Sequence, residues 1–215
     1  MSPSPDAIAD ATLELGRSVS GALERALLAL KSSDLGLADR VVSGDLEINR
    51  SRYALEDQVA RELERRTDSA RLRYLIAVLN VINDLERMGD HAEGIAKVAL
   101  MLGHPASMAV PESIASLGVT VQQMLAEGLE AFAARDASRA RQICDEDDLV
   151  DQLYDQVYSE LITAMDGRSA SVVPTTYLLW VAHNLERIAD RVTNVCERTV
   201  YLATGQIEEL NVSNY

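Results

Sequence analysis

The sequence predicts an all-α protein made of two tandem antiparallel three-helix bundles that are related by an internal repeat. Three observations support this prediction. Apolar residues recur at helical spacing over long segments, aromatic residues form only 4% of the 215-residue chain, and one acidic motif appears twice, 100 positions apart. Sheets favour β-branched and aromatic residues, whereas the long Ala- and Leu-rich stretches of this chain favour helices.

The apolar pattern divides the chain into six long helical segments, three in each half. Polar breakers at 32–34 and 66–68 separate the first three segments, and a connector at 103–111 that contains glycine and proline separates the halves. The predicted helices are 8–30, 37–63, 72–102, 112–134, 138–165 and 172–203.

The length of these helices favours bundles. Helices of about 25 to 30 residues extend roughly 40 Å, which is typical of antiparallel bundles joined by short turns. We expect the first bundle over residues 1–104 and the second over residues 105–215. Residues 1–5 and 205–215 show little periodicity and are predicted to be loose tails.

Composition and charge exclude several classes of function. Lys and Arg number 20 against 34 Asp and Glu, which gives a formal net charge of −14 that repels nucleic acid and anionic lipid. No segment approaches the ~20 apolar residues of a membrane-spanning helix, and the first residues lack a signal-peptide pattern. We therefore expect a cytoplasmic protein that does not bind nucleic acid.

The cysteines and histidines do not indicate a metal site of their own. Cys144 and Cys196 show neither a metal-binding nor a disulfide spacing, so each is predicted to be a buried core residue. The three histidines are also scattered along the chain. A histidine-based metal site is therefore not expected.

The acidic motif lies in the third helix of each half. Residues 83–90 reappear as residues 183–190, and each copy carries two carboxylates four residues apart. Residues at i and i+4 project from the same side of a helix, so each copy presents an oxygen-donor pair beside the apolar stripe. The pairs are Glu86 with Asp90 and Glu186 with Asp190.

The second helix of each half adds carboxylates: Asp45 in the first half, Asp147 and Asp151 in the second. If the helices of the second half lie antiparallel, four carboxylates converge, and facing pairs about 4 Å apart would each cost roughly 4 kcal/mol at an effective dielectric of ~20. A bound cation would offset this repulsion. Oxygen ligands suit magnesium, calcium, manganese or ferric iron, with zinc as an alternative, and Asn194 is placed to add an amide oxygen. The competing interpretation is ordinary hydrated helix surface.

Arg87 and Arg187 follow the first acid of each motif. The simplest interpretation is a salt bridge to a carboxylate three or four residues away. The alternative is a contact with phosphate, which arginine binds through two hydrogen bonds at once.

The motifs at 83–93 and 184–190, together with the segment 150–154, resemble the PhoU family over nearly the whole chain. The resemblance implies a regulator without enzymatic activity that represses phosphate-starvation signalling when phosphate is plentiful. Such a regulator acts between the phosphate ABC transporter and a sensor histidine kinase. Any association with the membrane would be peripheral, through these partners.

The resemblance also implies multinuclear metal clusters on the bundle faces and a homodimer. The first half departs from the family pattern, because Asn49 stands where the second half has Asp151, and Gly94 stands where it has Asn194. We therefore expect the C-terminal bundle to bind metal more tightly. The expected ligands are Asp45, Glu86 and Asp90 in the first half and Asp147, Asp151, Glu186, Asp190 and Asn194 in the second.

Two other classes of protein share parts of this pattern. Carboxylate-bridged di-iron enzymes are also helical bundles, but their sites use Glu-x-x-His, and no Glu in this sequence is followed three residues later by His. A metal-free helical adaptor, which holds its partner in apolar grooves between long helices, is the second alternative.

Overall fold

The computed structural model describes residues 5–65, 68–104, 106, 108–165 and 172–210. All the regular secondary structure in these residues is helical, as predicted. The helices are α1 (Pro5–Ser32), α2 (Leu35–Leu63), α3 (Ser69–Leu102), α4 (Glu112–Ala134), α5 (Ala137–Asp145), α6 (Asp147–Met165) and α7 (Val172–Thr204).

Aspartates set the starts of three helices. The side chains of Asp34, Asp68 and Asp136 accept hydrogen bonds from backbone N–H groups in the first turn of α2, α3 and α5, at distances of 2.8, 2.7 and 3.0 Å. Such caps satisfy N–H groups that have no partner within the helix and contribute about 1 kcal/mol each. Asp34 and Asp68 lie in the predicted breakers, which confirms the helix boundaries there.

The fifth predicted helix, 138–165, is interrupted at Glu146, so the expectation of one continuous helix is wrong at this point. The backbone N–H of Glu146 donates to the carbonyls of Gln142 and Ile143 in a tight closing turn, and its own carbonyl accepts from Leu149 N–H at 3.0 Å. Asp147 and the following acid therefore lie in the first turn of α6. Negative side chains are favourable at that end of a helix.

Each repeat forms one bundle around its third helix. In the first repeat α3 packs against α1 and α2, and in the second α7 packs against α4, α5 and α6. The two bundles then join through α3 against α7 and α1 against α4. The largest fully buried side chains include Leu15, Leu23, Ile82, Met88, Ile114, Leu117, Leu125 and Ile143.

The contact between α1 and α4 shows that the two repeats face each other in a pseudo-symmetric way. A Cβ atom on Gly16 would lie 2.6 Å from Leu129 Cδ2, and a Cβ on Gly118 would lie 3.0 Å from Leu27 Cδ1. Gly118 lies 102 positions beyond Gly16, and Leu129 lies 102 positions beyond Leu27. The same contact is therefore made twice, once with the glycine on α1 and the leucine on α4, and once with the glycine on α4 and the leucine on α1. Both glycines are needed for the close approach of the helices.

The segment after α7 is packed against the protein, so the prediction of a loose tail is wrong for residues 205–210. Glu208 accepts two hydrogen bonds from the guanidinium of Arg141 on α5, at 3.0 and 2.8 Å. The backbone N–H of Leu210 donates to Glu197 at 3.0 Å. The remaining predicted tail residues, 1–4 and 211–215, lie outside the described residues, while Pro5 begins α1.

Both cysteines are buried, as predicted. A hydrogen bond with the Cys196 thiol, together with burial, raises the pKa of Cys144 far above its ordinary value. Two cysteines that are 52 positions apart in the sequence are therefore neighbours in the fold. Within the described part of the chain, no helix has the length and apolar character needed to cross a membrane.

Candidate metal-binding faces

The first acidic face lies between α2 and α3 and consists of Asp45, Glu86, Asp90 and Glu93. Oδ1 of Asp45 is buried without a hydrogen-bond partner, and Oδ2 accepts from Asn49 Nδ2 at 2.7 Å. Burial, followed by the charges of the three other acids, raises the pKa of Asp45, which Lys97 partly opposes. A buried carboxylate oxygen surrounded by like charges is a site where a cation would be stabilised.

Gly89 allows α2 and α3 to come together at this face. A Cβ atom at Gly89 would lie 3.1 Å from Ile48 and 3.6 Å from Asp45 Oδ1. The absence of a side chain at this position therefore leaves room for Asp45 beside α3.

Arginines already neutralise part of the first face. Arg52 on α2 lies 3.6 Å from the buried carboxylate of Glu86 and donates to Asn83 at 2.7 Å. Arg87 donates to Asp90 at 3.0 Å, the salt bridge expected from sequence. Sequence reasoning missed Arg52, although its place seven residues after Asp45 puts it on the same face of α2.

The second acidic face lies between α6 and α7 and consists of Asp147, Asp151, Glu186 and Asp190. Asp147 is buried. Partial burial of the carboxyl group, followed by the charge of Glu186, raises the pKa of Asp151 and also that of Asp190. The charge of Asp151 contributes to the raised pKa of Asp190 as well, so acids of α6 and α7 lie near enough to interact.

Arg187 bridges the two carboxylates of the second motif. Its Nε donates to Glu186 Oε2 at 2.6 Å, its Nη2 donates to Glu186 Oε1, and its Nη1 lies 3.0 Å from Asp190 Oδ2. His183 Nδ1 lies 3.5 Å from the same glutamate. The guanidinium therefore occupies oxygens that a metal ion would use.

Asn194 lies at the junction between the repeats. Its Nδ2 and Nη1 of Arg191 both donate to Oδ1 of Asp84 on α3, each at 3.2 Å. The repeat relation gives an equivalent contact, because Asn184 lies 100 positions beyond Asp84 and His91 lies 100 positions before Arg191. In that contact Nδ1 of His91 lies 2.9 Å from Oδ1 of Asn184. Burial raises the pKa of Asp84 despite its two hydrogen bonds, and burial lowers the pKa of His91.

Comparison with known proteins decides the family. A family model described as "PhoU domain" matches residues 12–99 and again residues 114–199. The chain belongs to the PhoU family. The two matches also correspond to the two bundles of the all-α fold.

Relatives in the PhoU family match almost the full length of the chain. It is 38% identical over 200 residues to the "Phosphate-specific transport system accessory protein PhoU homolog" of Streptococcus pneumoniae serotype 4, with 93% of each protein covered. It is 33% identical over 202 residues to the "Phosphate-specific transport system accessory protein PhoU" of Escherichia coli K12, covering 94% of this chain and 84% of that protein.

Two crystal structures of PhoU proteins share the fold. The phosphate transport system regulatory protein PhoU from Streptococcus pneumoniae superposes with a TM-score of 0.88 at 37% identity, covering 94% of this chain and 96% of that one. PhoU from Pseudomonas aeruginosa gives a TM-score of 0.88 at 31% identity, covering 93% and 96%.

The donor chemistry of both faces fits a hard cation, but the side chains are not arranged as a finished site. Among the described residues, no three His, Cys, Asp or Glu side chains converge closely enough to hold an ion as they stand. In favour of a cation are the unpartnered Asp45 oxygen and the raised pKa of Asp151 and Asp190. Arg187 would have to release its carboxylates for a metal to bind.

The two faces of this PhoU-family protein differ in their compensating cations. Arg52 and Lys97 border the first face, and Lys97 lies 2.6 Å from Glu93. The corresponding positions of the second repeat hold Tyr154 and Glu197. The second face therefore carries less positive charge of its own.

Proposed function

We propose that this protein is a regulatory accessory protein of phosphate transport that represses phosphate-starvation signalling when phosphate is plentiful. It is not an enzyme, and it acts between the phosphate ABC transporter and a sensor histidine kinase. It works in the cytoplasm as a homodimer and reaches the membrane only through its partners. The supporting observation is the full-length match of both repeats to phosphate-specific transport system accessory proteins.

A hard metal ion binds each acidic face in this proposal, more tightly on the second. On the second face the ion would be held by Asp147, Asp151, Glu186 and Asp190. Asn194 would be an additional ligand once it has released its hydrogen bond to Asp84. Asp45, Glu86 and Asp90 would hold it on the first face. The ion, whether magnesium, calcium, manganese, iron or zinc, supplies positive charge that removes the repulsion among the carboxylates.

The stronger second face follows from charge. Asn49 stands in the first repeat where Asp151 stands in the second, and Arg52 lies beside Glu86 where the second repeat has Tyr154. Since Glu93 is paired with Lys97 at 2.6 Å, the first face offers an entering ion three carboxylates, Asp45, Glu86 and Asp90, against four on the second. The first face also has the additional cation Arg52. Both differences lower its affinity for a metal ion.

A phosphate-starvation reporter in a strain that lacks this protein tests the regulatory role. Reporter activity in high phosphate is expected to rise in the deletion strain and to fall again with the wild-type gene. Complementation with Glu186→Gln or Asp190→Asn is expected to leave it high, whereas Glu14→Gln, an exposed acid paired with Arg17 on α1, restores repression. A reporter that stays low in the deletion strain would contradict the regulatory role.

A metal-free adaptor is the second candidate, and one observation favours it. Arg187 already neutralises Glu186 and Asp190, so the second face has a way to remain stable without metal. In that case exhaustive chelation leaves thermal stability unchanged, and variants of the acidic face still repress the reporter. A fall in melting temperature on chelation, restored by metal, would exclude this candidate.

A further inference from the structure

A groove between α1 and α2 of the first repeat carries positive charge that the protein does not use. It encloses about 270 Å³ and is lined by Arg17 and Arg25 from α1 and by Gly44 and Ser51 from α2. A Cβ atom at Gly44 would meet nothing within 4 Å. The groove is therefore open beside Gly44 rather than filled by neighbouring side chains.

Two polar side chains of this groove have no partner within the described residues. In the described parts of the chain, the guanidinium of Arg25 has no hydrogen bond or ion pair, and the hydroxyl of Ser51 has no hydrogen-bond partner. Arg25 Nη1 lies back along α1, 3.1 Å from where a Cβ of Gly21 would stand. Beside the open groove, the N–H donors of the Arg25 guanidinium are available to an external anion.

The other charges of the groove do not cancel Arg25. The lining side chains carry two positive charges, on Arg17 and Arg25, against one negative charge, on Glu47. Glu47 also lies 3.4 Å from Nη1 of Arg50, in a pair that is 66% and 74% exposed and therefore weak. Arg17 is paired with Glu14, and both side chains are more than two thirds exposed, 68% and 69%. Such a pair is weak and easily gives way to a stronger anion.

The second repeat provides an internal comparison, because its corresponding groove is closed. The residues 102 positions beyond Arg25 and Gly44 are Glu127 and Glu146. Arg139 donates to both of these carboxylates, at 3.0 Å to Glu146. In the second repeat, Arg139 thus binds the two acids at these positions. In the first repeat, the corresponding positions hold Arg25 and Gly44, and no side chain fills the space beside Gly44.

We propose that the groove between α1 and α2 binds a small oxyanion of the phosphate class, with Arg25 as its principal contact. The guanidinium presents parallel N–H donors that match the oxygens of phosphate. Arg17 lies on the same side of α1, about 12 Å along the helix, and two extended arginine side chains can reach one anion between them. This assignment does not depend on the regulatory role proposed above.

Calorimetric titration of the full-length protein with inorganic phosphate tests the assignment, in buffer freed of metal by a chelator. Wild type is expected to bind phosphate at one site per chain, and to bind acetate at least tenfold more weakly at the same ionic strength. Arg25→Gln is expected to weaken phosphate binding at least tenfold. Gly44→Glu, which introduces the residue found in the second repeat, is expected to do the same.

Arg40→Gln is the matched control, since Arg40 is also without a carboxylate partner in the described residues but does not line the groove. It is expected to bind phosphate as wild type does, and thermal melts verify that all variants are folded. The assignment is overturned if wild type gives no binding, if acetate binds equally well, or if Arg25→Gln binds like wild type. Loss of binding in Arg187→Gln alone would likewise overturn it and place the anion on α7.

Discussion

Replacing Arg187 by glutamine should make the second acidic face more dependent on metal. Arg187 holds both oxygens of Glu186 and lies 3.0 Å from Asp190, so the substitution removes one positive charge shared by two carboxylates. The carboxylates then repel each other in the absence of metal. When metal is present they are free to bind it without first releasing the guanidinium.

The size of the effect follows from the exposure of the pair. A hydrogen bond to a charged group contributes about 1.5–3 kcal/mol when it is well buried. The Arg187 side chain is 42% exposed, so solvent screening reduces the loss on substitution to about 1–2 kcal/mol. The same free energy no longer opposes metal binding, which corresponds to an apparent affinity about tenfold higher.

Urea unfolding with chelator and with added manganese measures both effects, and Arg141→Gln is the matched control. Arg141 is 41% exposed and also holds a carboxylate at two points, but it does so at Glu208, which we do not expect to bind metal. Both variants should lose stability in chelator, and only Arg187→Gln should regain it with manganese. Equal responses of the two variants to manganese would refute a metal site at Glu186 and Asp190.

Three further predictions concern packing and pH. Gly16→Ala should lose about 1–3 kcal/mol of unfolding free energy, because its Cβ would lie 2.6 Å from Leu129, whereas exposed Gly44→Ala should gain about 0.5–1 kcal/mol. Urea unfolding checks both, and the opposite order would contradict the close contact of α1 with α4. Burial raises the pKa of Asp84 in the folded state, so ionisation of Asp84 costs stability as pH rises from its unfolded to its folded pKa. Asp84→Asn should remove this loss, so its stability relative to wild type should increase with pH across that window; a flat difference in unfolding experiments would contradict the burial of Asp84.

Most of the fold could be predicted because its signals are local. Capping aspartates and a continuous apolar stripe determine where α2 and α3 begin to within a few residues. The break at Glu146 could not be predicted, since the helical spacing continues through it. Asp147, the first residue of α6, is buried at a position where an apolar residue would ordinarily stand.

The candidate site was predictable to the extent that it depends on helical spacing. Carboxylates four residues apart must share a side of their helix. Across the two helices, the charge of Glu186 raises the pKa of Asp151. The position of Asn194 depends instead on how the two repeats dock, and its hydrogen bond to Asp84 joins residues 110 positions apart. No local pattern reports such a contact, and the same holds for the neighbouring thiols of Cys144 and Cys196.

Metal content of the full-length protein tests the central claim most directly. Wild type, Asp45→Asn and Asp151→Asn would be incubated with manganese or iron, freed of unbound metal by gel filtration, and measured by elemental analysis. Retained metal is expected in wild type, with a larger loss in Asp151→Asn than in Asp45→Asn. Equal losses would contradict the stronger second face, and no retained metal in wild type would contradict metal binding by either acidic face.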